Sequence, residues 1–187
     1  MLVLQLYLLF GLVLHKVIWE MLRRGSPEKP IEGASPKLFF IKAVKIAILL
    51  GLVVQIWFPD MPPIVAEPFW LRIIGVALFT LGLATAVAAR LQLGDNWANI
   101  ETGQVLRRQA VVESGIYGFV RHPIYTGDIF LLLGLELALN SWFVCGVLLL
   151  APVVMMQAMK EEEMLVDALP GYERYCRRSK RFIPFVF

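Results

Sequence analysis

Two short polar segments in an otherwise apolar chain carry residue types able to hold and react with a charged small molecule. The first is Arg121-His122-Pro123-Ile124-Tyr125-Thr126-Gly127. Pro123 suits the first turn of a helix, where its missing amide donor costs nothing. A helix start offers unpaired backbone N–H groups and the positive end of the helix dipole, a setting for a carboxylate. Gly127 removes a side chain where a ligand must approach closely. The plainer reading is an interfacial anchor, because Arg, His and Tyr all sit comfortably at the headgroup level. The second segment is Glu161-Glu162-Glu163. Three adjacent carboxylates repel one another and oppose the dipole of a helix that ends beside them. They either form a solvated face paired with arginines of the tail, or one of them accepts hydrogen bonds from a ligand's hydroxyl pair or ammonium group.

The elements that must place these segments are apolar helices. Of 187 residues, 58% are hydrophobic and 18% charged, with mean hydropathy +0.68. A soluble domain of this size rarely combines so little charge with so much apolar surface. In lipid only helices satisfy their own backbone groups, so the fold class is all-α: a polytopic membrane protein forming a single domain over 1–187. Five spans are expected, at about 1–22, 38–58, 69–89, 124–139 and 142–159, followed by an amphipathic carboxyl-terminal helix. The second and third run to about 31 Å of helix, which matches a bilayer core. The first lacks the basic start and small-residue cleavage site of a signal peptide. The net charge of +3 is mild; basic residues flanking the spans explain it, and no nucleic-acid partner is implied. Cys145 and Cys176 have no metal-ligand spacing, so free thiols and no metal site are expected.

Basic residues alternate from connection to connection. The first connection carries Arg23, Arg24, Lys29 and Lys37, in a Pro- and Gly-rich loop over 25–36, and the second carries Asp60 and Glu67 with no Lys or Arg. Arg90, Arg107, Arg108 and Arg121 follow the third span; Lys160, Arg174, Arg177, Arg178, Lys180 and Arg181 follow the fifth. This pattern puts the amino terminus outside and the carboxyl terminus in the cytoplasm, with a prokaryotic plasma membrane as the expected location. The working half is then about 91–187. Spans four and five are similar in length and joined by Asn140-Ser141, so the chain returns to nearly the depth at which it started. Tyr125 and Glu162 should therefore face one cytoplasmic pocket.

A family resemblance emerges from the ordered series Glu113-Ser114-Gly115-Ile116-Tyr117, Arg121 to Gly127, Glu162-Glu163, Gly171-Tyr172-Glu173-Arg174-Tyr175 and Arg181-Phe182-Ile183-Pro184. From about Val111 to Phe187 the chain resembles the carboxyl-terminal half of the isoprenylcysteine carboxyl methyltransferases, and the wider phospholipid methyltransferase group is similar. The resemblance implies a membrane-embedded methyltransferase dependent on S-adenosylmethionine (SAM), with the cofactor entering from the cytosol and a lipophilic acceptor from the bilayer. It puts His122, Pro123, Ile124 and Tyr125 in the cofactor wall, together with Gly127, Tyr117 and the segment Gln109, Ala110, Val111, Val112. It gives Glu162 the part of the carboxylate that holds the cofactor and makes Arg121, His122 and Glu162 the catalytic candidates. One position departs: the arginine that the isoprenylcysteine branch carries one turn before that glutamate, attributed to acceptor binding, is Ala158 here. A prenylcysteine carboxylate is thereby in question as the acceptor; Arg121, Arg178 and Arg181 are candidate substitutes.

Methyl transfer from a sulfonium is an in-line displacement that depends chiefly on holding two reactants in line, and a dry site keeps water from competing. An amine or hydroxyl acceptor needs a base, for which His122 and Glu161 to Glu163 are candidates. Elsewhere, Glu136 inside span four either links helices or contacts the acceptor, or else snorkels to the outer face. Asp128 reads as interfacial and His15 as a helix contact. Asn96, Trp97 and Asn99 lie along the membrane surface. Tyr172, Tyr175 and Arg178 share one face of the tail helix, a lid or a packing element, and 182–187 is apolar enough to dock back on the spans. Two other function classes fit less well. A membrane reductase of the sterol type would use NADPH, whose 2′-phosphate the three glutamates do not suit. A scaffold or transporter would need polar groups across the bilayer, and here they gather at one face.

Overall fold

The computed structural model describes residues 1–25, 36–96 and 109–183. They form six α-helices: α1 Leu2–Gly25, α2 Pro36–Gln55, α3 Phe69–Leu93, α4 Pro123–Ala138, α5 Val144–Ala168 and α6 Tyr172–Arg178. No strand occurs among the described residues, so the all-α expectation holds. By length and composition three of these helices, α1, α3 and α5, can cross a membrane. Helix α2 is of similar length at 20 residues. Helix α4 has only 16 residues, about 24 Å, shorter than a bilayer core of about 30 Å. The loop over 25–36, Trp97, Asn99, Arg107, Arg108 and the last four residues, 184–187, fall wholly or mostly outside the described part.

Three helices run past their expected ends, α1 by three residues to Gly25 and α3 and α5 by more. Helix α3 was expected to stop at 89 and continues to Leu93. Arg90, read as the boundary, is 1% exposed, and its Nη1 donates to the Gly94 carbonyl at 2.8 Å, closing the helix end on itself. Helix α5 was expected to stop at 159 and continues to Ala168. Hydropathy marks where lipid-compatible residues end, not where the helix does, and Lys, Glu, Met and Leu are all good helix formers. Glu161 to Glu163 therefore sit within the helix rather than in its last turn, and the dipole objection to them lapses.

Helices α3 and α4 make the central contact of the bundle. Gly75 and Gly82 on α3 face Gly134, Ala138, Gly127 and Leu131 on α4, backbone against backbone. A Cβ at Gly75 would strike the Ala138 main chain, and one at Gly134 the Phe79 main chain. Lipid gives no hydrophobic drive to helix association, so close approach through small residues supplies the packing. Leu8 and Leu12 of α1 complete the core with Phe79, Leu131 and Leu135.

The end of the bundle away from the polar segments is closed by Asn140, in a left-handed conformation at φ 55°. Its amide accepts from Ile64 N and Val65 N at 3.1 and 3.0 Å and donates to Asp60 Oδ1 at 2.7 Å and to the Val65 carbonyl at 2.9 Å. Glu136, 2% exposed, accepts from Gln55 Nε2 of α2 at 2.6 Å, and the same amide nitrogen reaches Ser141 Oγ at 3.2 Å. Glu136 is thus a polar link between α2 and α4. At 2% exposure it does not snorkel.

Replacing Gly75 by Val should destabilise the protein by at least about 1–3 kcal/mol, the usual range for overpacking. Gly51→Val, on a helix surface with nothing within 4 Å of the new Cβ, should stay within about 0.5 kcal/mol. Unfolding in detergent by heat or titrated denaturant compares the two.

Candidate functional site

A cleft enclosing about 690 Å³, part of it open to solvent, lies at the end of the bundle where α3 finishes, α4 begins and α5 overhangs. Residue 92 onwards fixes its first wall. Gln92 Oε1 accepts from Ile116 N at 2.9 Å and occupies the space a side chain would need at Gly115, where φ is +60°. Asn96 Oδ1 accepts from Ala110 N at 2.7 Å. These two amides hold the 109–118 segment across the cleft, and Gln109, Ala110, Val111, Val112 and Tyr117 line it.

The second wall is the start of α4. Residues 119–122 pair with the tail: Arg121 N donates to the Lys180 carbonyl at 2.8 Å, His122 N to Arg181 at 3.1 Å, and Lys180 N to Phe119 at 3.0 Å. Pro123 stands at the first turn of α4, as its ring requires,. Thr126 Oγ1 donates to the carbonyls of His122 and Phe182, both at 3.2 Å, tying helix to tail. Arg121, His122, Ile124 and Tyr125 face the cleft.

The third wall is α5 with α6 beneath it: Glu161, Leu165, Leu169, Tyr172 and Tyr175. Tyr175 donates its hydroxyl to the Tyr117 carbonyl at 2.7 Å, joining the third wall to the first. Burial pushes the phenols of Tyr117, Tyr172 and Tyr175 well above their ordinary range. They remain protonated and are not bases. Burial also raises the Cys176 thiol, leaving it unreactive,. Arg178, expected on the same face as these tyrosines, is instead 63% exposed and 3.9 Å from Glu113, so it takes no part in the cleft.

The two adjacent glutamates divide their work. Successive helix positions point about 100° apart. Glu161 faces the cleft and accepts from the Tyr125 hydroxyl at 3.1 Å. Glu162, 7% exposed, lies behind the wall. Its carboxylate accepts from Arg121 Nε at 2.8 Å, from Arg181 Nη2 at 2.8 Å and Nε at 3.1 Å, and it meets His122 Nε2 at 3.0 Å. Arg121 also donates to the carbonyls of Cys176, at 2.9 Å, and Ser179. The His122 ring is stacked on Tyr125 with centroids 5.5 Å apart and leans on Phe182 at 5.6 Å.

Most of the expected residues thus share one cleft: Gln109 to Val112, Tyr117, Arg121, His122, Ile124 and Tyr125. Three do not line it. Glu162 is packed among two arginines and a histidine. Pro123 is fully buried in the helix start. Gly127 faces the Ala86 main chain of α3, where a Cβ would sit at 2.6 Å from its nitrogen, so it serves helix packing rather than ligand approach. Missed from sequence were Glu161 as the carboxylate on the cleft, and the apolar contributors Leu93, Leu165 and Leu169. The recurrence of Glu161, Leu165 and Leu169 at four-residue spacing is the signal that could have found them.

Residues 70–169, more than half of the chain, match the model of the family described as phospholipid methyltransferase. The chain belongs to the phospholipid methyltransferase family. The matched stretch runs from α3 to the end of α5 and so includes α3, which sequence inspection reads only as an apolar span. Among its relatives, the cobalt-zinc-cadmium resistance protein CzcN of Cupriavidus metallidurans is 31% identical over 118 residues, 62% of this chain and 51% of that protein. The protein-S-isoprenylcysteine O-methyltransferase of Xenopus laevis is 26% identical over 132 residues, 69% of this chain and 44% of that one. The human enzyme of that name is 26% identical over 136 residues, 71% of this chain and 46% of that one. The chain spans about half the length of the curated relatives it matches. In fold it is similar to the eukaryotic intramembrane Ras methyltransferase, isoprenylcysteine carboxyl methyltransferase. That match has a TM-score of 0.56 at 23% identity and covers 83% of this chain and 55% of that one. The family and the apolar helices make this an integral membrane protein.

Removing one member of a buried charge cluster leaves its partners uncompensated, at a cost of about 3–5 kcal/mol. Glu162→Ala should show that loss in unfolding measurements. It should also release the tail, making the chain near Arg181 sensitive to trypsin before the rest of the protein is cut. Glu161→Ala, which removes no buried arginine's partner, should leave both the unfolding and the digestion close to those of the unaltered protein.

Proposed function

We propose that this protein transfers the methyl group of SAM to a lipophilic acceptor delivered from the bilayer, with SAM held in the cleft at the cytoplasmic face. The observation that carries the reading is the Glu161–Tyr125 pair on a cleft at the end of a family-matched bundle. The residues suit this cofactor. A carboxylate at Glu161 accepts hydrogen bonds from vicinal hydroxyls or an ammonium group, and its bond from Tyr125 fixes its direction. Val111, Leu165, Leu169 and the protonated Tyr117 and Tyr172 offer apolar surface to a purine ring and keep water out,.

When bound there, SAM supplies an electrophilic methyl group, which needs no protein nucleophile. The chain's own contribution is orientation and dryness. Holding two reactants in line is worth at best about 7–11 kcal/mol of barrier. The cluster of Glu162 with Arg121, Arg181 and His122 acts as a positioning frame: it locks the tail against α4 and presents the His122 and Tyr125 rings to the cleft. The basic connections argue for an outside amino terminus, a cytoplasmic cleft and five spans, with α2 and the short α4 completing the bundle. A family whose relatives include a bacterial protein fits a prokaryotic plasma membrane.

A reductase reading has less support. A 2′-phosphate needs an accessible cation. Arg121, the cation lining the cleft, already gives its donors to Glu162, Cys176 and Ser179, and Glu161 would repel the phosphate.

Titration calorimetry of S-adenosylhomocysteine into detergent-purified protein tests the proposal. Binding is expected, at least about 10-fold weaker in Glu161→Gln, where a charged hydrogen-bond acceptor worth about 1.5–3 kcal/mol is lost. NADPH should give no heat. NADPH binding, or a folded sample that ignores S-adenosylhomocysteine, would overturn it.

A further inference from the structure

A methyl acceptor whose reacting atom carries a proton needs a base within reach of the cleft. Apart from the tyrosines, three ionisable side chains line it: Arg121, His122 and Glu161. Arg121 is a permanent cation. It directs Nε and Nη2 to Glu162 and Nη1 to the carbonyls of Cys176 and Ser179. Glu161 accepts from the Tyr125 hydroxyl and is the carboxylate assigned above to the cofactor. The other two glutamates of the run do not line the cleft, and Glu163 is exposed. His122 remains, and imidazole is the side chain most often used for this task.

The His122 ring is held in one orientation. Nε2 lies 3.0 Å from Glu162 Oε1. Its faces meet Tyr125, at a centroid distance of 5.5 Å with planes at 12°, and Phe182 at 5.6 Å. Glu162 is itself clamped by Arg121 and Arg181, so it cannot follow the ring elsewhere. A carboxylate only accepts, so the neutral ring carries its proton on Nε2 and leaves a lone pair on Nδ1. Nδ1 is turned toward Glu161 Oε2 on the cleft, 3.8 Å away, which is too long for a hydrogen bond. Among the described residues Nδ1 has no hydrogen-bond partner, yet it is not one of the sealed, unpartnered nitrogens. The surface to which His122 contributes is the cleft, and Nδ1 opens there. The charged and titratable groups facing the ring are thus Glu162 on one side and Glu161 with Tyr125 on the other, with Arg121 and Arg181 behind Glu162.

We propose that His122, oriented by Glu162, is the general base of the reaction, and that the acceptor presents an N–H or S–H nucleophile. This rests on the methyltransferase reading and deepens it. In the transfer, the bond between the methyl carbon and sulfur breaks with its electron pair left on sulfur. The new bond forms from the lone pair of the acceptor's nitrogen or sulfur. The proton which that atom sheds passes to His122 Nδ1. Glu162 is a positioning residue: it holds the tautomer and, with Glu161 on the other side, stabilises the imidazolium, which later releases the proton to water. The same lining disfavours an anionic acceptor, because Glu161 repels it and the Arg121 donors are already engaged.

Phosphatidylcholine vesicles carrying dodecylamine, dodecanethiol or N-dodecanoylglycine (a carboxylate with no proton to lose at neutral pH) test this. Wild type, His122→Gln and His122→Ala are compared, with S-adenosylhomocysteine binding and thermal unfolding as checks on cleft and fold. The glutamine variant keeps an amide donor for Glu162. The amine or the thiol is expected to be methylated, and His122→Gln should transfer at least about 100-fold more slowly while still binding S-adenosylhomocysteine. His122→Ala should regain turnover when free imidazole is added, a rescue that a role confined to packing does not allow. With the thiol, the deficit should narrow as rising pH ionises the probe itself. A readout independent of turnover, and of whether the variants fold, is nitrogen NMR of histidine-labelled protein, which has two histidines. The His122 signals are those that persist in His15→Gln. In the S-adenosylhomocysteine complex they should show Nε2 protonated and Nδ1 bare at neutral pH, with Nδ1 taking up its proton as pH falls, in step with the loss of transfer. Glu162→Gln should move that uptake to lower pH, since a carboxylate beside the ring favours its charged form. Transfer to the carboxylate alone or to no probe, a His122→Gln rate close to wild type, no rescue by imidazole, or Nδ1 protonated throughout the working range of pH would each overturn the proposal. Failure of the wild type to bind S-adenosylhomocysteine would sink the methyltransferase reading itself and take this proposal with it.

Discussion

The backbones of α3 and α4 lie so close that four of their positions admit no side chain, and the rest of the molecule is arranged around that contact. Gly75 and Gly82 meet Gly134 and Gly127 across it. Close approach is the chief attraction two apolar helices can gain in a solvent as apolar as themselves. The seam fixes the depth of α4, which at 16 residues is too short to be placed by the bilayer,. Both of its ends then have to be finished by protein. Asn140 and the 59–65 loop finish one end; residues 119–122, paired with the tail, finish the other. The cleft exists because α4 stops short and the flanking helices do not.

At that end a second constraint takes over. Glu162 is a carboxylate out of water, and such a charge persists only when paired and hydrogen-bonded. Arg121 comes from the loop before α4, Arg181 from the tail, and His122 from the helix cap. Two separate pieces of chain, 121–122 and the tail, are thus required to meet at one point on α5. The cost of leaving any of them unpaired is what makes the meeting unique. The neighbouring Glu161, turned by one helix step, is held by the Tyr125 hydroxyl and no arginine. It keeps acceptor capacity for a ligand.

Composition and span length made the helical class legible, and the two-residue connection at Asn140-Ser141 made the return of α5 to the level of Tyr125 legible as well. Which glutamate faces the cleft was not. A hairpin argument resolves depth to about a turn, whereas Glu161 and Glu162 differ by a rotation that depends on the packing of α5. Gly127 was misread for a related reason. A glycine makes room for close approach, and its sequence does not say whether a ligand or another backbone comes near; the answer lay in Ala86, 41 positions away. Arg90 looked like a membrane boundary because charge usually marks one, but its own helix end supplied the carbonyl that lets it stay buried.

Polar side chains within the bundle follow one logic when sorted by depth. At the end away from the cleft the Gln55 amide serves Glu136 and Ser141, and Asn140 is held by Asp60, Ile64 and Val65. At the cleft end Glu162 and its arginines do the same. Each of these sets is buried, saturated and joins segments distant in sequence, which is what polar groups must do to survive in an apolar interior. His15 and Asp128 also join distant segments, α1 to α4, but differ in burial and in saturation. They are two residues only, partly exposed on the flank, with a ring nitrogen left over. Holding α1 to α4 does not need them, because Leu8 and Leu12 already pack there against Leu131 and Leu135.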